Sequence, residues 1–483
     1  MFLLMQFNSL HNDTICAIAT PHGMGAIATI RISGNQTFTI VASLFQQNDK
    51  PLDAERIVSH KAYHGYIVDN KELIDEVLVT FFRAPHSFTG EDSAEISVHG
   101  SVYIQQKMLQ ILIAHGCRMA DAGEFTRRAF INGKFDLAQA EAIADLISSE
   151  NEAMHRVAIN QLKGGFSKEL QMMRSKLLEM TSLIELELDF SEEDVEFADR
   201  KQLMALLEET QTHVNRLKDS FRLGNAIKNG VPVAIVGATN TGKSTLLNAL
   251  LQEDRAIVSD IAGTTRDSIE EVMNLNGTLF RFIDTAGIRE TDEAIEKIGI
   301  ERTFRKIGEA DIVLGMIDMT QGDEAMKESA RLILEKTDTT QQTLLFLLNK
   351  SDCCPEVGTE SVDVLKNMVC DTLSSPAKHI YIQTLSAKTG QGLEKLRHTL
   401  EEIQKERGSQ HDATLVSNIR HYEALNHTSK SLSAVEQGLN DGIPSDLVAQ
   451  DLRAALYYLG TITGEITTDE VLGSVFSRFC IGK

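Results

Sequence analysis

"VAIVGATNTGKSTLLNAL", residues 233–250, joins an apolar run to a helical pattern through a glycine-containing turn. The turn has the spacing Gly237-x-x-x-x-Gly242-Lys243-Ser244. Between a strand and a helix, such a turn surrounds phosphates with backbone N–H groups, places its lysine on the terminal phosphates and its serine hydroxyl on Mg²⁺. The stretch therefore predicts a P-loop nucleotide-binding domain.

Two later motifs predict that the nucleotide is GTP. In "FLLNKSD", an apolar run ends in Asn349, Lys350 and Asp352. The aspartate can accept hydrogen bonds from guanine N1–H and the exocyclic amine, groups that adenine does not offer. The motif "LSAK", with Ser386, Ala387 and Lys388, follows the next predicted strand, and we expect it to support the base.

The segment between the P-loop and "FLLNKSD" predicts hydrolysis by an unusual route. "LFRFIDTAG" ends a predicted strand with Asp284, positioned for the Mg²⁺ shell, and Gly287, whose N–H can meet the γ-phosphate. "GTTRD", with Thr264 and Thr265, is similar to a switch I segment. The ordered set resembles the translation-factor-type GTPases. Ile288 stands where Ras-like GTPases have a water-positioning glutamine, so another device must supply catalysis.

Hydrophobic patterns along the chain predict a multidomain protein of the α/β and α classes. Short β-rich runs before residue 125 predict a small α+β domain. Apolar residues at three- and four-residue spacing, without proline, predict long helices over 126–225. Strands and helices alternate over 226–402, which predicts a parallel sheet with crossover helices, and helices return over 403–483. We therefore predict one helical domain interrupted by an inserted GTPase domain.

One helix in the last segment can be predicted in detail. In "SDLVAQDLRAALYYLG", we expect Gly460 to cap the helix at its carboxyl end. The residues that fall on one apolar face are Val448, Leu452, Ala455 and Leu459.

Composition limits the partners and the compartment. The 483 residues contain 47 Lys and Arg against 69 Asp and Glu, a formal charge of -22, so a nucleic acid must be met at a local basic patch or through another protein. The six scattered cysteines favour reduced thiols in the cytosol. No run of about 18 apolar residues occurs, so we expect a cytoplasmic protein without a membrane span.

Three elements together resemble a known family: "GEFTRRAFINGKFDLAQAEAIADLI" at 123–147, the GTPase motifs, and the terminal "FCIGK" at 479–483. They are similar to the bacterial tRNA-modification GTPases of the MnmE (TrmE) family, within the TrmE-Era-EngA-like GTPases. The resemblance runs from "DTICAIAT" near the start to the last residue. It implies a tetrahydrofolate-binding-like and dimerising domain at 1–125, a long-helix domain at 126–225 and 403–483, and an inserted Ras-like P-loop GTPase domain at 226–402.

The family resemblance also implies an activity and partners. Members form homodimers, assemble with the flavoprotein MnmG into a heterotetramer, and meet tRNA mainly through that partner. They add a carboxymethylaminomethyl or aminomethyl group at C5 of the wobble uridine of certain tRNAs. The one-carbon unit is expected to come from a tetrahydrofolate derivative, 5-formyl- or methylene-tetrahydrofolate.

By the same resemblance, K⁺ does the electrostatic work of an arginine finger. The family pattern implies that Asn240 ligates K⁺ with the backbone carbonyls of Ser259, Ile261 and Thr264, and that Ser244 and Thr265 ligate Mg²⁺. Catalysis would use Lys243 and Glu296, which positions the water. Without the family, Glu296 is equally well interpreted as a solvated helix residue, and Arg289 as regulatory or surface. Further residues expected to contact GTP or to form the K⁺ loop are Thr241, Gly242, Thr245, Asp260, Ala262, Gly263, Thr285 and Ala286.

The folate positions implied by the resemblance are Arg31, Glu95, Lys134 and Lys483. From spacing alone, the first three are ordinary surface charges or helix caps. Cys480 lies four residues from the end and is either a catalytic nucleophile or a buried packing thiol.

Three rival functions remain open. A prenylated signalling GTPase is disfavoured because Gly482 and Lys483 depart from a prenylation box. Direct docking on RNA, as in Era-like relatives, is disfavoured because the helical segments carry no sustained basic run. A folate-dependent transferase with a vestigial GTPase domain is disfavoured by the intact nucleotide motifs.

Overall fold

Two separate β-sheets organise the chain in the computed structural model. The structure describes residues 13–48, 50–189, 200–252, 271–283, 307–354, 358–372, 379–407 and 414–477, together with residues 479 and 482. The chain divides into two units: the first comprises 1–148, 158–211 and 427–483, and the second comprises 149–157 and 212–426.

The first unit contains an eight-stranded sheet in the order β4-β3-β5-β6-β7-β2-β1-β8. All neighbours are antiparallel except β1 and β8. The strands are β1 (Thr14–Ile18), β2 (Ile27–Ser33), β3 (Phe45–Gln47), β4 (Lys50–Pro51), β5 (Ala62–Asp69), β6 (Glu72–Phe82), β7 (Ser93–His99) and β8 (Cys117–Met119). Helices α1 (Thr37–Leu44) and α2 (Val102–Ala114) contribute to its core.

Alternating burial along these strands shows that one face of the sheet packs against the core. In β5 and β6 every second side chain is buried, so one sheet face is covered and the other is left outside. The register pairs Arg31 on β2 with Glu95 on β7, both at positions of intermediate burial. The predicted α+β domain at the start of the chain is confirmed by this sheet and its two helices.

Five helices follow the first sheet in the described residues, and the last two, of 25 and 30 residues, are long as the apolar spacing predicts. The five helices are α3 (Glu124–Ile131), α4 (Leu137–Ile147), α5 (Glu152–Leu162), α6 (Gly165–Asp189) and α7 (Arg200–Asn229). Helix α4 begins at a capping box, in which the Asp136 carboxylate accepts from the backbone of Gln139 and the Gln139 side chain accepts from Asp136 N.

The second unit contains a six-stranded sheet in the order β10-β11-β9-β12-β13-β14, parallel except between β10 and β11. Its strands are β9 (Val231–Val236), β10 (Glu271–Leu275), β11 (Thr278–Phe282), β12 (Ile312–Asp318), β13 (Thr343–Asn349) and β14 (Ile380–Thr384). Helices α8 (Lys243–Gln252) and α11 (Leu393–Arg407) pack on one face, and α9 (Asp323–Lys336) and α10 (Gly358–Thr372) on the other.

This order puts a topological switch point beside the central strand β9. Strands β11 and β12 lie on either side of β9, and helices cover both faces, so a crevice opens at the carboxyl ends of the strands. The predicted inserted sheet with crossover helices is confirmed, and its topology is Ras-like.

The chain ends in helices α12 (Ile419–Asp441), α13 (Ser445–Thr463) and α14 (Asp469–Phe476). Helix α13 packs along α6, and the pairs Arg453–Glu185 and Arg174–Glu465 each have an N–O distance of 2.7 Å. None of the helices in the described ranges is long and apolar enough to cross a membrane.

The predicted apolar face of α13 is confirmed, but its predicted end is wrong. Val448, Leu452, Ala455 and Leu459 are all buried. The helix continues through Gly460 and ends before Gly464, which has φ +82°. Gly460 instead provides room for Ile466, whose side chain would lie 3.1 Å from a Cβ placed there.

Candidate functional site

The turn after β9 is built around two glycines. A Cβ on Gly237 would overlap the carbonyl oxygen of Met316 in β12, and one on Gly242 would overlap the side-chain amide of Asn349. Gly242 also has φ +95°, and Asn240 between them has φ +60°, a conformation that asparagine tolerates better than most residues. The turn can therefore lie against β12 and β13 only with glycine at positions 237 and 242.

Lys243 begins α8 and reaches back over the turn. Its Nζ donates to the carbonyl oxygens of Gly237 at 2.9 Å and Ala238 at 2.7 Å. Ser244 and Thr245 follow in the first turn of α8, where the helix N-terminus favours anions. The turn therefore places a cation, a hydroxyl and a helix N-terminus together, the set that a polyphosphate with Mg²⁺ requires.

Asn349, at the end of β13, links two loops of the site. Its Nδ2 donates to the Thr241 carbonyl at 2.7 Å, and its Oδ1 accepts from the Ala387 backbone N–H at 2.9 Å. The residue is only 3% exposed, so both hydrogen bonds are shielded from water. The structure thus joins the phosphate-binding turn to the predicted "LSAK" loop.

Asp352 presents the carboxylate expected to recognise guanine. The buried hydroxyl of Ser386 donates to Asp352 Oδ1 at 2.7 Å, and Asp352 itself is exposed. This hydrogen bond lowers the pKa of Asp352 below its ordinary value, with the Lys388 charge as a smaller cause. The carboxylate is therefore ionised at neutral pH and can accept two hydrogen bonds from a guanine edge.

One contact of the site was missed by sequence reasoning. Lys350, in a left-handed conformation with φ +67°, donates to Asp318 Oδ2 at 2.6 Å. Burial alone would raise the pKa of Asp318, but the hydrogen bond from Lys350 holds it below its ordinary value. The signal was present, since Asp318 ends "IVLGMID" as Asn349 ends the neighbouring strand.

Other residues predicted for the GTP site lie outside the described residues. They are Ser259, Asp260, Ile261, Ala262, Gly263, Thr264, Thr265, Asp284, Thr285, Ala286, Gly287, Ile288, Arg289 and Glu296.

In the first unit, the structure brings Arg31 and Glu95 together on the outer face of the sheet. Arg31 Nε and Nη2 donate to Glu95 Oε1 at 3.0 and 2.8 Å. The Arg31 Cζ lies 5.1 Å from the ring centre of Phe88 and 5.8 Å from that of Phe125. A guanidinium, a carboxylate and a partly exposed ring at one place suit a flat ligand with both donors and acceptors.

Lys134, in the connection between α3 and α4, has its described hydrogen bond with the loop that contains Phe88 and not with Arg31 or Glu95. Its Nζ donates to the Pro85 carbonyl at 2.9 Å. Phe135, the next residue, has its ring centre 6.0 Å from that of Phe88. Arg31 and Lys134 therefore both contact one segment, residues 84–92 of the connection between β6 and β7, and Glu95 is paired with Arg31.

The end of the chain meets the same unit at β1. Phe479 packs on Phe476, and a Cβ on Gly482 would overlap the carbonyl oxygen of Ile18. Ile18 belongs to the strand whose Ala17 is paired with Arg31. Cys480 and Lys483 lie outside the described residues.

An ion network centred on the buried side chains of Arg128 and Glu124, not expected from the sequence, lies in the same unit. Arg128 Nη2 is 2.8 Å from Asp13 Oδ1 and 3.0 Å from Glu124 Oε1, and its Nη1 is 3.2 Å from Glu91 Oε2. Arg118 binds Glu124 at 2.7 Å and Asp13 at 2.6 Å. Arg128 is 2% exposed and Glu124 0%. Five charged groups from distant segments are thus held together.

Replacing Glu124 by Gln should lower the free energy of unfolding at neutral pH by about 2 kcal/mol, because charge-assisted hydrogen bonds are lost. Burial by itself would raise the pKa of Glu124, but the hydrogen bonds from Arg118 and Arg128 hold it below the ordinary value of 4.5. The stabilisation is therefore present above pH 4.5 and disappears as the pH falls through the folded-state pKa.

Thermal unfolding of wild type and Glu124→Gln, at neutral pH and at a pH below the folded-state pKa of Glu124, measures the difference in stability between them. Glu152→Gln, which changes an exposed glutamate paired with Arg156, is the matched control. A difference that stays constant with pH would contradict the linkage.

A Ras-like sheet, a glycine-built phosphate turn and an Asn-Lys-x-Asp element define a P-loop GTP-binding protein. Two family profiles match the chain, "MnmE helical domain" at 137–480 and "GTP-binding protein TrmE N-terminus" at 14–134. The chain therefore belongs to the MnmE family.

Individual relatives agree with this assignment. The protein named tRNA modification GTPase MnmE from Christiangramia forsetii is 51% identical over 98% of this chain and 99% of its own length. That of Bacteroides thetaiotaomicron is 49% identical over 98% of this chain and 100% of its own. A solved GTP-binding protein from Sulfolobus solfataricus in complex with GDP is 18% identical, with a TM-score of 0.28, over 48% of this chain and 67% of its own.

Proposed function

We propose that the chain is a GTP-hydrolysing tRNA modification enzyme. With the flavoprotein MnmG, it adds a carboxymethylaminomethyl or aminomethyl group at C5 of the wobble uridine of certain tRNAs. The observation that carries the proposal is identity of about half the residues, along nearly the whole chain, to relatives named tRNA modification GTPase. The GTP site supports it, because Asp352 and the phosphate-binding turn suit the substrate that this name requires.

In the proposed reaction, GTP is held at both of its ends. Asp352 accepts from the base, and Lys243 exchanges its hydrogen bonds to the turn carbonyls for the terminal phosphates. Glu296 positions the attacking water, a role that takes the place of the missing glutamine at Ile288.

Two cations complete the proposed GTP site. The Ser244 hydroxyl, in the first turn of α8, is the described ligand candidate for Mg²⁺, and Asn240, exposed at the tip of the turn, offers an amide oxygen of the kind K⁺ prefers. When bound, these ions neutralise charge that builds on the phosphate oxygens. The remaining proposed ligands are Thr265 for Mg²⁺, and Ser259, Ile261 and Thr264 for K⁺.

A tetrahydrofolate derivative, 5-formyl- or methylene-tetrahydrofolate, is proposed as the one-carbon donor. Arg31, Glu95 and Lys134 would hold it, with Lys483 from the end of the chain. The fit rests on the partly exposed Arg31–Glu95 pair beside Phe88, because a pterin ring offers donors and acceptors for a carboxylate and a face for an aromatic ring. The described Gly482 beside β1 supports a place for the tail near this pair.

The proposed partners follow from the same family membership. The chain would form a homodimer and a heterotetramer with MnmG in the cytoplasm. A formal charge of -22 favours contact with tRNA mainly through the partner, because the chain as a whole repels a phosphate backbone.

Deleting the gene should remove the C5 modification from wobble uridines, and a plasmid copy should restore it. Mass spectrometry of nucleosides from purified tRNA measures this directly. A copy carrying Asp352→Asn is the informative comparison, because it keeps the chain but changes the base-recognition carboxylate. We expect it not to restore the modification. Unchanged wobble uridines in the deletion strain would refute the proposed function.

A further inference from the structure

The segment 84–92 contacts two of the residues proposed to hold folate. Phe88 lies beneath the Arg31 guanidinium, with 5.1 Å between Cζ and the ring centre. The Pro85 carbonyl accepts from Lys134 Nζ at 2.9 Å. The conformation of this segment therefore determines the positions of the Arg31 guanidinium and the Lys134 ammonium group.

The segment is fastened at its other end by Glu91 and Thr89. The Ser33 hydroxyl donates to Glu91 Oε2 at 2.8 Å and lies 2.7 Å from Thr89 Oγ1. Asn132 Nδ2 donates to the Thr89 carbonyl at 2.7 Å. These bonds tie the segment to β2 and to the end of α3.

Arg128 is the buried group that completes this attachment. Its Nη1 reaches Glu91, and its Nη2 reaches Asp13 and Glu124. Planar guanidinium geometry allows all three contacts at once, so one buried side chain connects the segment to Asp13 and Glu124.

We infer that Arg128, acting through Glu91, is a positioning residue for the proposed folate site, an inference that rests on folate binding as proposed above. It holds segment 84–92 so that Phe88 and the Pro85 carbonyl set the positions of Arg31 and Lys134. In this role Arg128 acts without contacting the ligand, because its side chain is 2% exposed.

A purely structural network would behave differently, and Arg118 separates the two cases. Arg118 shares Asp13 and Glu124 with Arg128, but among its described contacts none is with segment 84–92. Loss of its contacts therefore weakens the network without releasing the segment.

The test compares Glu91→Gln with Arg118→Lys in the full-length chain. Hydrogen exchange of residues 84–92, the melting temperature and the calorimetric Kd for 5-formyltetrahydrofolate are measured for each. Glu91→Gln should speed exchange in the segment and weaken binding about tenfold, as expected for one lost charge-assisted hydrogen bond. Arg118→Lys should lower the melting temperature while exchange in the segment and Kd stay near wild type.

Two further variants complete the design. The double variant Arg31→Ala, Glu91→Gln should weaken binding by less than the product of the two single effects, because Glu91 acts through Arg31. If Glu91→Gln caused independent structural damage, the two factors by which Kd rises would multiply. If Glu91→Gln does not fold, Ser33→Ala removes the other anchor of Glu91 and should loosen the same segment.

Two outcomes would overturn the positioning role while leaving folate binding intact. The first is unchanged hydrogen exchange in segment 84–92 of folded Glu91→Gln or Ser33→Ala. The second is a Kd that rises in proportion to the loss of melting temperature in Arg118→Lys as it does in Glu91→Gln. Failure of the wild-type chain to bind 5-formyltetrahydrofolate would overturn the folate proposal and this inference with it.

Discussion

Asp352→Asn is expected to weaken GTP binding about a thousandfold, because two charge-assisted hydrogen bonds to the guanine edge are lost or reversed, each contributing roughly 2 kcal/mol. The same variant should gain affinity for XTP. Xanthine carries a carbonyl where guanine has the exocyclic amine, and an asparagine amide can donate to that carbonyl while accepting from N1–H. The Ser386 hydroxyl remains available to orient the new side chain.

Competition against a fluorescent GTP analogue measures both affinities. Asp363→Asn is the matched control, since it removes one exposed carboxylate from α10 of the same unit and should leave both affinities unchanged. Equal affinity of wild type and Asp352→Asn for GTP would show that another residue reads the base.

GTP hydrolysis should be on the order of a thousandfold faster in K⁺ than in Na⁺, the size of effect that an arginine finger supplies. Na⁺ is too small to span the phosphates and the oxygen ligands expected at Asn240 and its loop. Asn240→Ala should hydrolyse slowly in both salts, with GTP affinity within a few-fold of wild type, because the cation acts mainly on charge that develops during the reaction.

Phosphate release at matched ionic strength in the two salts is the measurement. Asn248→Ala, the same change at an exposed position of α8, serves as control and should keep the full dependence on K⁺. Equal turnover of the wild-type chain in the two salts would contradict the proposed cation site.

The sequence predicted the second sheet well because its signals are local. A strand, a glycine turn and a helix start occupy adjacent residues in 231–252, and the residues proposed to recognise the base lie at and directly after the end of "TLLFLLN". The end of α13 was less predictable. Gly460 and Gly464 are equally permissive in the sequence, and they differ only in tertiary contacts: Ile466 packs on Gly460, and Phe130 and Leu137 pack on Gly464.

What could not be predicted arises between segments far apart in the chain. The bond from Asn349 to Thr241 joins residues 108 positions apart, and the ion pair of Arg128 with Asp13 joins residues 115 apart. No periodicity or spacing encodes such partners, because they meet only when the whole sheet is formed. Each charged residue of the buried network, taken alone, has the appearance of an ordinary surface residue.

The two hydrogen bonds of Asn349 have a consequence for how the affinities of the base and the polyphosphate combine in the intact nucleotide. Since one buried amide fastens the turn for the phosphates to the loop beside the base, the spacing between the two subsites is set before any ligand arrives. Guanine and a polyphosphate, joined covalently through ribose, then gain a high effective concentration, because binding of either one holds the other close to its own subsite. We therefore expect the affinity for intact GTP to exceed the product of the affinities for guanine and for the polyphosphate measured separately.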